Sequence, residues 1–143
     1  MINVYSLEEE WKDIIQKILE EKILQTKKNK LKYKILSAIW QFMNFQQIDW
    51  FRTKNLGWAI NEFRISVPGS KNLIRIMFYY EKQELVLLTG YLIKPENYSK
   101  SQEKKEINNL YENQIKKSKQ IINDFKTERK NSYLDITDMI YIN

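Results

Sequence analysis

Between Leu56 and Lys94, three runs rich in Ile, Leu, Val, Phe and Tyr follow one another with only short polar gaps, and this spacing constrains the fold more than any other stretch. The runs are Trp58–Val67, Leu73–Tyr80 and Glu84–Lys94. None shows the 3.6-residue period of a helix, so each is predicted to be a strand. The gaps, Pro68-Gly69-Ser70-Lys71 and Glu81-Lys82-Gln83, suit hairpins and are too short for a crossover helix. The expected product is an antiparallel meander.

Turn length sets the register. A four-residue loop at Pro68–Lys71 pairs Val67 with Asn72 and puts Arg64 opposite Arg75; the same closure at Glu81–Glu84 pairs Tyr80 with Leu85 and puts Arg75 opposite Gly90. Because side chains alternate, Glu62, Arg64, Arg75, Met77, Leu88, Gly90, Leu92 and Lys94 are expected on one face. Phe63, Ile65, Ile74, Ile76, Phe78, Leu87 and Tyr91 are expected on the other, as core. Two guanidiniums facing each other repel, by up to about a kcal/mol, and call for an anion. Glu62 is the internal candidate and a phosphate the external one. A third reading has both arginines covering the sheet with their aliphatic stems.

The flanks are predicted to be helical. Ser6 with Glu9 has the spacing of a capping box, and Leu7, Trp11, Ile14, Ile15 and Ile18 recur at helical intervals, so a first helix is expected from Leu7 to about Leu24. Thr26–Lys30 is the turn, and a second helix from about Lys30 to Phe45 carries Leu31, Ile35, Ala38, Ile39 and Phe42. The two are expected to form an antiparallel hairpin covering the apolar face of the sheet. The connector Gln46–Asn55, which holds Trp50, Arg52 and Lys54, is expected either to reach the cationic face or to be pinned to the domain by Trp50 and Phe51. After the sheet, Ile107, Tyr111, Ile115, Ser118, Ile122 and Phe125 mark a third helix to about Lys126, docked along one edge. The predicted class is therefore α+β: a helical hairpin on a meander of three or four strands, then a C-terminal helix. Residues 1–126 form the domain, and the apolar tail 127–143 either packs back or engages a partner.

Composition removes several chemistries. Of 143 residues none is cysteine and none histidine, which excludes disulfides, thiolate nucleophiles, His-based metal sites and Ser-His or Cys-His catalysis. No apolar run reaches the roughly 20 residues that span a bilayer, and Met1–Ser6 is too short and polar for a signal peptide, so a cytoplasmic protein is expected. Lys plus Arg number 24 against 18 Asp plus Glu, a balance that suits a polyanionic partner. The lysines cluster at Lys27, Lys28, Lys30, Lys32 and Lys34, and again between Lys100 and Lys119.

Order and detail together resemble the RelE/ParE toxin superfamily. Leu56-Gly57 through Asn61-Glu62-Phe63-Arg64 is similar to its "L…G…-E-L-R" segment, and Asn72-Leu73-Ile74-Arg75-Ile76-Met77-Phe78-Tyr79 to its "Y-R-(I/V)-L-Y" strand. Leu87-Leu88-Thr89-Gly90-Tyr91-Leu92-Ile93-Lys94 is similar to "L-L-H-G-F-x-K-K" of the phage HigB-type branch. The resemblance implies a RelE-like fold and a bacterial toxin of a type II toxin–antitoxin system. Such a toxin enters the ribosomal A site and cleaves mRNA without metal or cofactor, held inactive by a cognate antitoxin, here expected to be a helix-turn-helix protein. Position by position, it assigns Arg64, Arg75 and Lys94 to the site. Thr89 stands where many relatives have histidine, and Ile93 replaces the first of two lysines.

RNA cleavage by its own 2′-hydroxyl needs an aligned phosphate, neutralised charge and proton transfer. The planar forks of Arg64 and Arg75 suit the charge, with Lys94 as a third cation. Without histidine, proton transfer falls to Lys94, Glu62, Tyr91 or Tyr98, and Tyr98 is equally placed to stack on a base or cap its turn. Lys54, Lys71, Tyr91, Lys100 and Lys104 are the expected RNA-contacting residues. The alternative is a non-catalytic toxin-fold protein, either a gyrase-directed ParE-like toxin or a degenerate toxin acting only through antitoxin binding.

Overall fold

The structure, a computed structural model, describes residues 2–21, 28–45, 53–55, 60–81, 84–94, 101–127 and 132–141. Its elements in chain order are β1 (Asn3–Leu7), α1 (Ile14–Leu19), α2 (Lys28–Phe45), β2 (Thr53–Asn55), β3 (Ile60–Ser66), β4 (Leu73–Glu81), β5 (Leu85–Lys94), α3 (Ser101–Lys126), β6 (Tyr133–Asp135) and α4 (Thr137–Tyr141). The class is α+β. Among the described residues no helix is long and apolar enough to cross a membrane.

The chain opens with a strand, so the expected N-terminal helical hairpin is corrected. At Glu10 and Trp11 the backbone is left-handed, with φ of 55 and 67 degrees, and Glu9 and Lys12 exchange backbone hydrogen bonds at 3.0 Å. A two-residue turn of that shape is incompatible with a helix running on from Leu7. The helix starts instead at Ile14, where the side chain of Asp13 accepts from the Gln16 amide and Gln16 reciprocates. Ser6 does serve this N-terminus, but from a strand: its Oγ accepts from the Ile14 amide at 2.9 Å.

Among the described residues six strands form one mixed sheet in the order β2-β3-β4-β5-β1-β6. The antiparallel meander β3-β4-β5 is its centre, as expected, and β1 adds to β5 in parallel. The first hairpin turns at Pro68 and Gly69, whose φ of 73 degrees suits a type II turn, with the Ser70 amide donating to the Val67 carbonyl at 3.2 Å. Its register is the expected one, and Arg64 faces Arg75. The second is not: Glu81 pairs with Leu85, and a bulge at Thr89 adds one more residue, so Arg75 pairs with Leu92 and Gly90 with Met77. Beyond the bulge the alternation inverts. Leu88 lies opposite Phe78, and so moves from the expected cationic face to the core face, while Leu87 moves the other way.

Both faces of the sheet are covered. On one, Phe42 of α2 packs edge-on against Phe63, Phe78 and Tyr80, and Phe63 stacks on Phe78 with centroids 4.1 Å apart. On the other lies α3, which does not sit along an edge as expected. Ser118 is fully buried and contacts Met77 Sδ at 3.6 Å, Tyr111 reaches Glu62, and Gln114 sits over Gly90 so closely that a Cβ there would fall 1.9 Å from its Nε2. The face expected to carry the cations is therefore the floor of a second layer. The tail closes the far edge: β6 pairs antiparallel with β1, and Thr137 Oγ1 accepts from the Val4 amide at 2.9 Å.

Candidate functional site

Pairing of β3 with β4 places Arg64 beside Arg75, and the pairing of β4 with β5 puts Lys94, two residues beyond Leu92, on the same face. The anion this arrangement requires is supplied from within. Glu62, two residues before Arg64 on β3, has no solvent access; its Oε1 accepts from Arg64 Nε at 3.0 Å and lies 3.9 Å from Arg75 Nη1. The other oxygen, Oε2, accepts from the Tyr111 hydroxyl at 2.6 Å, a charge-assisted bond to α3. The Tyr111 ring lies under the Arg75 guanidinium, with its centroid 4.9 Å from Cζ.

One carboxylate therefore holds two guanidiniums and a phenol. Arg75 is largely covered, its side chain 15% exposed against 26% for Arg64, and its Nε is buried without a hydrogen-bond partner. With Leu92, Lys94, Ile107, Asn108 and Tyr111, Arg75 lines a small cavity of about 50 Å³. Burial, then the bond to Glu62, pushes the Tyr111 phenol up to about 12. At neutral pH that hydroxyl is a donor to the carboxylate and not a source of phenolate.

The other expected residues divide. Lys71 is exposed in the β3–β4 turn, close to the Leu73–Lys94 pair, and Lys104 is exposed in the first turns of α3. The backbone of Lys54 in β2 pairs with Glu62. Tyr98 and Lys100 lie outside the described residues. Tyr91 pairs with Ile76 and so lies on the core face, as expected from the alternation, and its hydroxyl donates to Glu21. Burial first, and Glu21 next, raise its pKa, so it neither shares the cationic face nor suits proton transfer. Thr89, at the position where the resemblance expects histidine, is fully buried in the bulge, with Oγ1 2.8 Å from Ser118 Oγ and 3.2 Å from the Met77 carbonyl.

Tyr111 is the site residue that sequence reading missed. Its signal was present: it is a polar-tipped ring in the buried stripe of the helix, and such a tip needs a partner when buried. A second cleft, of about 520 Å³, opens between α1 and α3 beside Gly90–Ile93. Its charges are balanced: Glu9 bridges Lys17 at 2.8 Å and Lys117 at 3.1 Å, and the bond to Lys17 holds the Glu9 carboxyl below its usual range.

Compared with known proteins, the chain matches no family model, no curated protein and no solved structure.

Proposed function

We propose that this chain is a toxin of the RelE/ParE kind, a ribosome-dependent endoribonuclease that inhibits translation and is held in check by a cognate antitoxin. What carries the reading is the placement of Arg64 directly opposite Arg75, with Lys94 on the same face, within the three strands that bear the resemblance. On this reading an mRNA phosphate binds the two forks, the 2′-hydroxyl forms a bond to phosphorus as the bond to the 5′-oxygen breaks, and the cations hold the charge of the transition state. Of the proton-transfer candidates, Lys94 and Glu62 share the face with the arginines. The ribosome supplies the alignment that offsets a weak acid–base set.

A specific observation favours a second reading. Glu62 already fills the anion position and Tyr111 lies against Arg75, which suits a toxin-fold protein that has lost catalysis and acts through its antitoxin or on gyrase. Induced expression separates the two. The ribonuclease reading expects growth arrest with mRNA cut within codons only during translation, and at least a hundredfold loss of cutting in Arg75→Ala while the protein still folds. Cutting that survives the substitution places the site elsewhere. DNA damage with intact mRNA supports the gyrase version, and absence of toxicity supports the degenerate one.

A further inference from the structure

The lysine cluster of α2 is not used by the site on the other face of the sheet. From Lys28 to Phe45 this helix contains no Asp or Glu, and Lys28, Lys30, Lys32 and Lys34 are all exposed on its first half. Between α2 and the end of β3 runs a groove of about 480 Å³. Tyr33, Lys34, Ser37 and Gln41 line it from the helix, and Arg64 and Ser66 from the strand. Among the described residues no carboxylate lines it. Tyr33 is 68% exposed, a large ring left in solvent at the rim. Lys34 is fixed, with Nζ donating to the Ser66 carbonyl at 3.0 Å and to Ser66 Oγ at 3.1 Å; neither partner neutralises its charge.

We infer that this groove is a binding site for single-stranded RNA, with an unpaired base stacked on Tyr33 and the backbone phosphates beside Lys34 and Arg64. An exposed ring beside fixed cations is the pattern that holds unpaired strands, since every base has a face to stack while a duplex hides it. Ser37, Gln41 and Ser66 offer polar groups within the same groove for a 2′-hydroxyl. Arg64 belongs both to the groove and to the Glu62 cluster, so a strand lying here leads over the edge of β3 toward Arg75. The choice of RNA over DNA rests on the ribonuclease reading; the single-strand site does not.

The test is equilibrium binding of a labelled oligouridylate to the full chain, followed by fluorescence anisotropy over a range of salt. Tyr33→Ala is expected to weaken binding about tenfold with an unchanged thermal melt, and Tyr33→Trp to restore it. Lys34→Gln is expected to reduce the slope of log affinity against log salt by about 0.7, the contribution of one phosphate contact on a single strand. Unchanged affinity in Tyr33→Ala together with an unchanged slope in Lys34→Gln overturns the site. Equal, Tyr33-dependent binding of the matching deoxyribonucleotide overturns the assignment to RNA. Tyr33-dependent RNA binding in a protein that cuts no mRNA upholds the groove and removes the ribonuclease reading, so the two fail separately.

Discussion

Glu62 has no access to water and sits between two guanidiniums, a placement that is strongly unfavourable unless every charge there is matched. Glu62→Gln leaves both arginines without their counter-ion and is expected to destabilise the protein by about 3 kcal/mol, read from urea unfolding. Tyr111→Phe keeps the ring against Arg75 and removes only the hydrogen bond, at a cost of about 1.5 to 2 kcal/mol. A Glu62→Gln cost no larger than that of Tyr111→Phe would mean the carboxylate is not what holds the cluster. The tyrosines also define an alkaline limit. Folding raises the phenol of Tyr111 to about 12, and likewise that of Tyr79, which is buried and donates to Glu81. A group whose folded pKa lies above its unfolded value, near 10, stabilises fully below pH ~10 and loses that contribution as pH rises toward 12. Unfolding midpoints should therefore be flat from neutral pH to about 10 and fall above it. The fall should be smaller in Tyr111→Phe, with tyrosinate absorbance as the direct check.

At the scale of elements, the turn at Glu10 and Trp11 is the least comfortable piece of backbone described. Both corner residues have positive φ, and Trp11 is 89% exposed, so no packing offsets the conformation. Replacing the pair by Asn and Gly, which suit a type I′ turn, is expected to stabilise by about 1 kcal/mol, measured as a rise in the thermal midpoint. No gain would show that Trp11 makes a contact worth the strain. The bulge in β5 has the opposite character. Thr89 is the extra residue, and its hydroxyl bonds to the Met77 carbonyl and to Ser118, so the irregularity is anchored on both sides. It brings Gly90 beneath Gln114, where the absent side chain lets α3 approach the sheet. The same approach brings Tyr111 onto Glu62.

For the whole molecule, the tail is a structural part of the sheet. Ile136 and Ile140 are buried, the Ile136 amide donates to the Val4 carbonyl at 2.8 Å, and β6 caps the edge that β1 would otherwise present. Truncation after Thr127 should lower stability by about 3 to 6 kcal/mol, from the loss of two buried isoleucines, and expose an edge that promotes association. Chemical unfolding and light scattering read the two effects, and an unchanged, monomeric product would refute the role. The meander, α2 and the opposition of Arg64 to Arg75 were legible because each follows from local rules: apolar density, helical spacing and the length of a proline–glycine turn. β1 was not legible, since five residues next to a capping signature gain strand character only from pairing with Leu85–Leu88, some eighty positions away. The cover over the cationic face was not legible, because α3 supplies Tyr111 to Glu62, as the residues after α1 supply Glu21 to Tyr91, from distant parts of the chain. By itself the sequence determined that two arginines stand side by side on neighbouring strands. Only the tertiary structure decided that a buried carboxylate and a helical tyrosine meet them, because desolvation and charge pairing are set by what packs above a surface and not by its own residues.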